Sequence, residues 1–160
     1  MQMIEISATD SGTLYAELAD AADALTHGEP DSIANMANIA ALVWQYVPDL
    51  NWAGFYRMID GELVLGPFQG KHACIRIPLG KGVCGAASAT GQTQRVDDVH
   101  SFPGHIACDA DSRSELVVPV VVDGIVAMVL DLDSPTPSRF TKDDASGIET
   151  LVARIAERLI

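Results

Sequence analysis

Apolar positions recur at helical spacing through the first third of the chain. Leu14, Leu18, Ala21 and Leu25 fall on one side of a helix that Thr9 or Ser11 caps and Gly28 and Pro30 end. Ile33, Met36, Ala37, Ala40, Val43 and Trp44 predict a second helix, opened by Asp31 or Ser32 and stopped at Pro48 and Asp49. The pattern then changes. "WAGFYRMI" reads as a strand, "DGE" as a hairpin turn, "LVLGPF" as the returning strand and "HACIRIP" as a further short strand. "LGKGVCGAASATG" is a glycine-rich turn running into a helix of small residues. "TQRVDDV" is extended, and "HSFPGHIACDADSR" is a loop. "SELVVPVVV" and "IVAMVLDLDS" are strongly apolar strands joined across Asp123-Gly124. Thr141-x-x-Asp144 is a capping box opening a last helix, with Ile148, Leu151, Val152, Ile155 and Leu159 on its core face.

This order predicts an α+β domain: an antiparallel sheet with helices on one face and a ligand pocket under loops on the other. Strand alternation then places chemistry. Asp131 and Asp133 point to one face, while Met128, Leu130 and Leu132 point to the other. Trp52, Gly54 and Tyr56 share a face opposite Ala53 and Phe55. In "HACIRIP" the same rule puts Ile75 and Ile77 opposite His72, Cys74 and Arg76. Glu115 opens the strand that pairs with the Asp131 strand. A solvated sheet face is the plain reading of such acids, but these interrupt the most apolar strand in the chain. Carboxylates held together repel unless a cation sits between them, and a ligand ammonium group would serve.

Composition narrows the classes. The 160 residues are 48% hydrophobic and 20% charged, which fits a single globular domain over residues 1–160. Ten basic residues face 22 acidic ones, for a net charge of −12. That balance argues against nucleic acid or an anionic membrane surface as the main partner. The N-terminus lacks a signal pattern, and no apolar run approaches the ~20 residues of a membrane span, so a cytosolic protein is expected.

The three cysteines, Cys74, Cys84 and Cys108, include no C-x-x-C pair. Three readings stay open: small, partly buried side chains, zinc ligands with His72 or His105, and redox thiols. Zinc is disfavoured by the absence of paired ligand spacing, and the first reading is the simplest. Cys84 lies near a helix start, where the dipole favours a thiolate. Cys108 sits among Asp109, Asp111 and Glu115, whose field by itself raises a thiol's pKa. His100 and His105 lie in the same loop with no pattern around them.

Taken together, "NWAGFY", "GPFQGKHACIRIP", "GKGVCG", "VHSFPGHIACDADSRSELVVPV" and "VLDLDSP" resemble the free methionine-(R)-sulfoxide reductases, which are stand-alone GAF domains. The resemblance is close from about Asn51 to Pro135. It implies a six-stranded sheet and reduction of free L-methionine-(R)-S-oxide to methionine, with thioredoxin as electron donor, no metal or organic cofactor, and a homodimer. It further implies Cys108 as the attacking thiol, Cys74 as the main resolving thiol and Cys84 as a second resolver or spare. Trp52 and Tyr56 would wall the sulfoxide methyl, and Glu115, Asp131 and Asp133, with Asp109 beside them, would hold the amino group. The acids around Cys108 then have a use. They bind an ammonium group, and a protonated carboxyl can donate to the sulfoxide oxygen as general acid. Cys108 would become a sulfenic acid and condense with a neighbouring thiol.

Two rival readings remain. A GAF-type sensor would bind a small ligand without turnover, but such modules usually sit in longer chains with an output domain. A thiol peroxidase using Cys108 and Cys74 would leave the acid cluster without a purpose.

Overall fold

The computed structural model describes residues 3–160. Helix α1 (Ser11–Thr26) is capped by Asp10, between the two expected caps, whose carboxylate accepts the Thr13 N–H at 2.9 Å. Helix α2 (Ser32–Tyr46) is capped by Asp31. Its buried side differs from the expected stripe. Met36, Ala40 and Val43 are buried as anticipated, but Ile39 and Leu42 complete the face, and Ile33, Ala37 and Trp44 are exposed. This helix is apolar on two adjacent sides, so spacing alone did not decide which one meets the sheet.

The strands are β1 (Trp52–Ile59), β2 (Glu62–Gly70), β3 (Arg76–Pro78), β4 (Gln94–Val96), β5 (Ser114–Val122) and β6 (Ile125–Ser134). They form one six-stranded sheet in the order β3-β2-β1-β6-β5-β4, with every neighbouring pair antiparallel. Two hairpins turn over Asp60-Gly61 and Asp123-Gly124. All four residues have positive φ, which the tight turn needs and Asp-Gly supplies. The expected strand "HACIRIP" is only three residues long, and His72 to Cys74 precede it as irregular chain.

Alternation divides the core. Ala53, Phe55, Leu116, Val118, Val120, Met128, Leu130 and Leu132 pack against α1, α2 and helix α4 (Lys142–Ile155). Trp52, Tyr56, Leu63, Ile77, Val117 and Val129 face the other way, toward Val83, Cys84 and Ala87 of helix α3 (Gly82–Thr90). Helix α3 therefore lies on the pocket side, whereas α1, α2 and α4 form the expected layer on the other face. Ile75 and Ile77 also depart from expectation. Ile77 is buried on the pocket side while Ile75 and Arg76 are exposed, because β3 is an edge strand lying beyond the helical layer.

The capping box of α4 forms as the sequence predicts, between Thr141 and Asp144. Asp144 also accepts from the Tyr15 hydroxyl at 2.7 Å and pairs with Arg139 at 3.0 Å, tying α1 to the start of α4. Gly147 lets the Tyr15 ring lie on that helix, since a Cβ there would come within 2.2 Å of Tyr15 Cγ. Gly147→Ala should therefore destabilise the fold by about 1–3 kcal/mol through overpacking, although alanine is the better helix former by about 1 kcal/mol. Urea unfolding of the two proteins checks this.

Candidate functional site

The site is built on rows across the sheet. β1, β6 and β5 lie side by side, so Trp52, Asp133 and Glu115 form one row and Gly54, Asp131 and Val117 the next. All project to the face away from α1, α2 and α4. The first turn of α3 covers these rows and brings Cys84, whose thiol donates to Glu115 Oε1 at 3.8 Å. Glu115 and Asp131 are buried, at 6% and 5% exposure, and Asp133 is partly buried. Asp131 Oδ1 has no hydrogen-bond partner among the described residues.

The aromatic wall depends on a missing side chain. Trp52 stacks on Phe68 at 5.2 Å and on Tyr56 at 5.7 Å between ring centroids. A Cβ on Gly54 would stand 2.3 Å from Phe68 Cβ and 2.8 Å from Trp52 Cη2, so only glycine admits this stack. The polar edges of both aromatics hold the chain between β2 and β3. The Trp52 indole N–H donates to Lys71 O at 3.1 Å, and the Tyr56 hydroxyl to Cys74 O at 2.9 Å.

Cys74 and Cys108 form a disulfide across the mouth of the site. The loop carrying Cys108 is fixed from three sides. Asn51 Nδ2 donates to Asp109 Oδ2 and Ser112 Oγ, both at 3.1 Å. The Lys71 ammonium pairs with Asp111 and, at 3.8 Å, with Asp109. The Gly82 N–H donates to Gly104 O at 3.1 Å. Beneath the loop is a cavity of about 30 Å³ bordered by Trp52, Tyr56, Cys84, Cys108, Asp109, Glu115, Asp131 and Asp133. Every residue to which the resemblance gives a site role borders this space except Cys74, which reaches it through its bond to Cys108, whereas Asp111 and Arg76 do not border it.

His72 and His105, named from the sequence only as possible zinc ligands, border it too, as do Ile77, Lys81 and Ser112, which were given no part in the site. His105 Nε2 lies 4.0 Å from Glu115 Oε2. Loop residues carry no periodicity that would have marked Ser112 or placed His105 beside Glu115. For Ile77, an edge strand of three residues would have been the clue.

Electrostatics here is governed by dehydration. Burial, then the neighbouring Asp131 charge, pushes the carboxyls of Glu115 and Asp133 well above the usual range. Burial also raises Asp131, to about 6. Cys84 reverses the expectation drawn from its helix position. Burial and then the Asp131 and Glu115 charges push its thiol up, outweighing the helix dipole. Burial, then the His100 charge, lowers His105. The arrangement can hold a proton on a carboxyl near neutral pH, bind a cationic group and cycle a dithiol.

Residues 33–159 match the family described as GAF domain. Free methionine-R-sulfoxide reductase of Escherichia coli is 52% identical over 145 residues, spanning 91% of this chain and 88% of the relative. The Saccharomyces cerevisiae protein of that name is 43% identical over 141 residues, spanning 83% and 78%. The solved structure of free methionine-R-sulfoxide reductase from Neisseria meningitidis in complex with its substrate superposes with a TM-score of 0.95, at 42% identity over 99% of this chain and 96% of that one.

The raised carboxyls set a pH dependence. A carboxyl whose folded pKa exceeds its unfolded value binds more protons when folded, so its contribution weakens as pH rises through the interval between the two. For Asp131 that interval runs from 3.8 to about 6, worth on the order of 3 kcal/mol. The protein should thus melt at a higher temperature at pH 5 than at pH 8. Asp131→Asn should narrow the difference by stabilising the protein at pH 8, which thermal melts at both pH values will read.

Proposed function

This chain belongs to the GAF-domain family of free methionine-(R)-sulfoxide reductases, and from that membership we propose that it reduces free L-methionine-(R)-S-oxide to methionine. The observation that carries the proposal is a Cys74–Cys108 disulfide closed directly over buried carboxyls and an aromatic wall. A thiol pair, a cation-binding cluster and an apolar wall are what a zwitterion with a methyl sulfoxide requires.

The substrate ammonium sits among Glu115, Asp131 and Asp133, with Asp109 at the rim, and the sulfoxide methyl lies against Trp52 and Tyr56. The Cys108 sulfur attacks the sulfoxide sulfur. A protonated carboxyl of the cluster, here Glu115, which burial raises and which lies at the start of β5, donates to the sulfoxide oxygen. Oxygen passes to Cys108, which becomes a sulfenic acid as methionine leaves. The Cys74 thiol then attacks the Cys108 sulfur, the S–S bond forms and the oxygen departs as water. Thioredoxin, as a dithiol donor in a reducing cytosol, returns both cysteines to thiols. Cys84, buried and held protonated against Glu115, serves as a spare resolver.

With the disulfide closed, the Cys74–Cys108 bond lies across the mouth of the site and neither sulfur is free to attack. Substrate therefore enters only after reduction frees the Cys108 loop. The same reading includes pairing with a second copy, for which exposed Ile33 and Trp44 on α2 offer apolar surface.

Cys108→Ser should abolish even the first turnover, whereas Cys74→Ser should release one methionine per chain and then stall with thioredoxin. Rapid-quench measurement of methionine separates the two, and a full first turnover by Cys108→Ser would overturn the assignment. N-acetyl-methionine sulfoxide, which has no ammonium group, should lose on the order of a hundred-fold in kcat/KM, because two unpaired charge-assisted contacts at about 1.5–3 kcal/mol each are forfeited. Equal kcat/KM for the two compounds would mean that the acids do not read the amino group.

A further inference from the structure

The cluster beneath the disulfide has a property that the reduction of a sulfoxide does not use. Cys84, Glu115 and Asp131 each present one ligand atom, and the three atoms lie within 4.8 Å of one another. All three side chains are buried. Their placement is rigid, because Glu115 and Asp131 come from adjacent central strands and Cys84 from the first turn of the helix over them. Asp131 Oδ1 is buried and unpartnered among the described residues, although its residue borders the cavity. An ionised oxygen so placed is costly unless a cation meets it.

The donor set selects the kind of cation. One thiol and two carboxylates are too few and too soft for calcium, which takes about 6–8 oxygens, or for magnesium, which keeps its waters in a strict octahedron. Zinc and its spectroscopic substitute cobalt accept sulfur and oxygen together, in a tetrahedron whose fourth position a water can fill. Ligands at about 2.0–2.3 Å from such an ion stand about 3.5 Å apart, so side-chain movements of about 1 Å complete the site.

We propose that Cys84, Glu115 and Asp131 form a binding site for a single thiophilic divalent cation of the zinc class, available while Cys74 and Cys108 are joined. On binding, the Cys84 S–H bond breaks and its electron pair goes to the metal, Glu115 gives up the proton its carboxyl holds, and both protons go to solvent, with no change of oxidation state. Ion binding stands apart from the reductase reading. Its consequence rests on that reading: an ion held by Glu115 and Asp131 occupies the place of the substrate ammonium, so protein that keeps the ion through reduction is blocked until the ion is removed.

The test uses the disulfide form, in which Cys84 is the one free thiol and turnover is impossible. Cobalt(II) titrated into chelator-treated protein should bind at one ion per chain and produce the near-ultraviolet sulfur-to-cobalt charge-transfer absorption, which zinc should then abolish by displacement. Cys84→Ser should lose the absorption. Asp131→Asn and Glu115→Gln should keep it but bind at least about tenfold more weakly, since even outer-shell losses at metal sites cost about 10–100-fold. Circular dichroism of each variant verifies that it is folded. An absorption that persists in Cys84→Ser, affinities unaltered in both carboxyl variants, or no saturable binding by the parent would overturn the site. Turnover of methionine sulfoxide by the reduced protein in chelator tests the reductase reading separately, so each can fail without the other.

Discussion

Three carboxyls share one side of the most apolar pair of strands, and the rest of the site answers to that constraint. Their cost is dehydration. Burial raises Glu115, Asp131 and Asp133 alike, and the Asp131 charge then makes Glu115 and Asp133 harder still to ionise. A structure that keeps such a cluster needs protons or a cation within it. The apolar face of the same strands is what permits the arrangement. Leu130 and Leu132 anchor β6 to the helical layer, so Asp131 between them is held on the opposite face.

The wall and the thiols are held by polar edges rather than by apolar contact alone. Gly54 opens the space in which Trp52 lies flat between Phe68 and Tyr56, and the indole and phenol then grip the carbonyls of Lys71 and Cys74. Lys71 extends the linkage to Asp109 and Asp111. The two chain segments that bear the bonded cysteines are thus fixed to the ring wall and to each other. Any displacement of one segment is felt by the other.

Much of this was legible in the sequence wherever a short-range rule applied. The Asp-Gly hairpins, the Thr141–Asp144 capping box and the division of β6 into an acidic and an apolar side each follow from neighbours a few residues apart. The quoted motifs carried the resemblance because they gather residues that the fold then assembles around one cavity. What stayed hidden depends on contacts distant in the chain. The α2 face was ambiguous because Ile33, Ala37 and Trp44 form a second apolar stripe, and only docking on the sheet chose between the two. The charge state of Cys84 was misjudged because a helix start is visible in sequence, whereas two strands of carboxyls beneath it are not. Asn51, His105 and Lys71 owe their places to a loop whose path no periodicity records.

The Asp123-Gly124 hairpin has a consequence for the order in which the molecule assembles. Glu115, Asp131 and Asp133 all lie on the two strands it joins, with Glu115 directly opposite Asp133. Such a hairpin closes in about 1–10 μs, before distant strands pair. At that stage the acids face water and are ionised near neutral pH, and their repulsion opposes the hairpin only weakly. Docking of β1 and α3 removes the water, and the chain must then draw protons from the solvent to complete its core. Folding near neutral pH is thus coupled to proton uptake, because the carboxyls of Glu115 and Asp133 are raised only where β1 and α3 close over them.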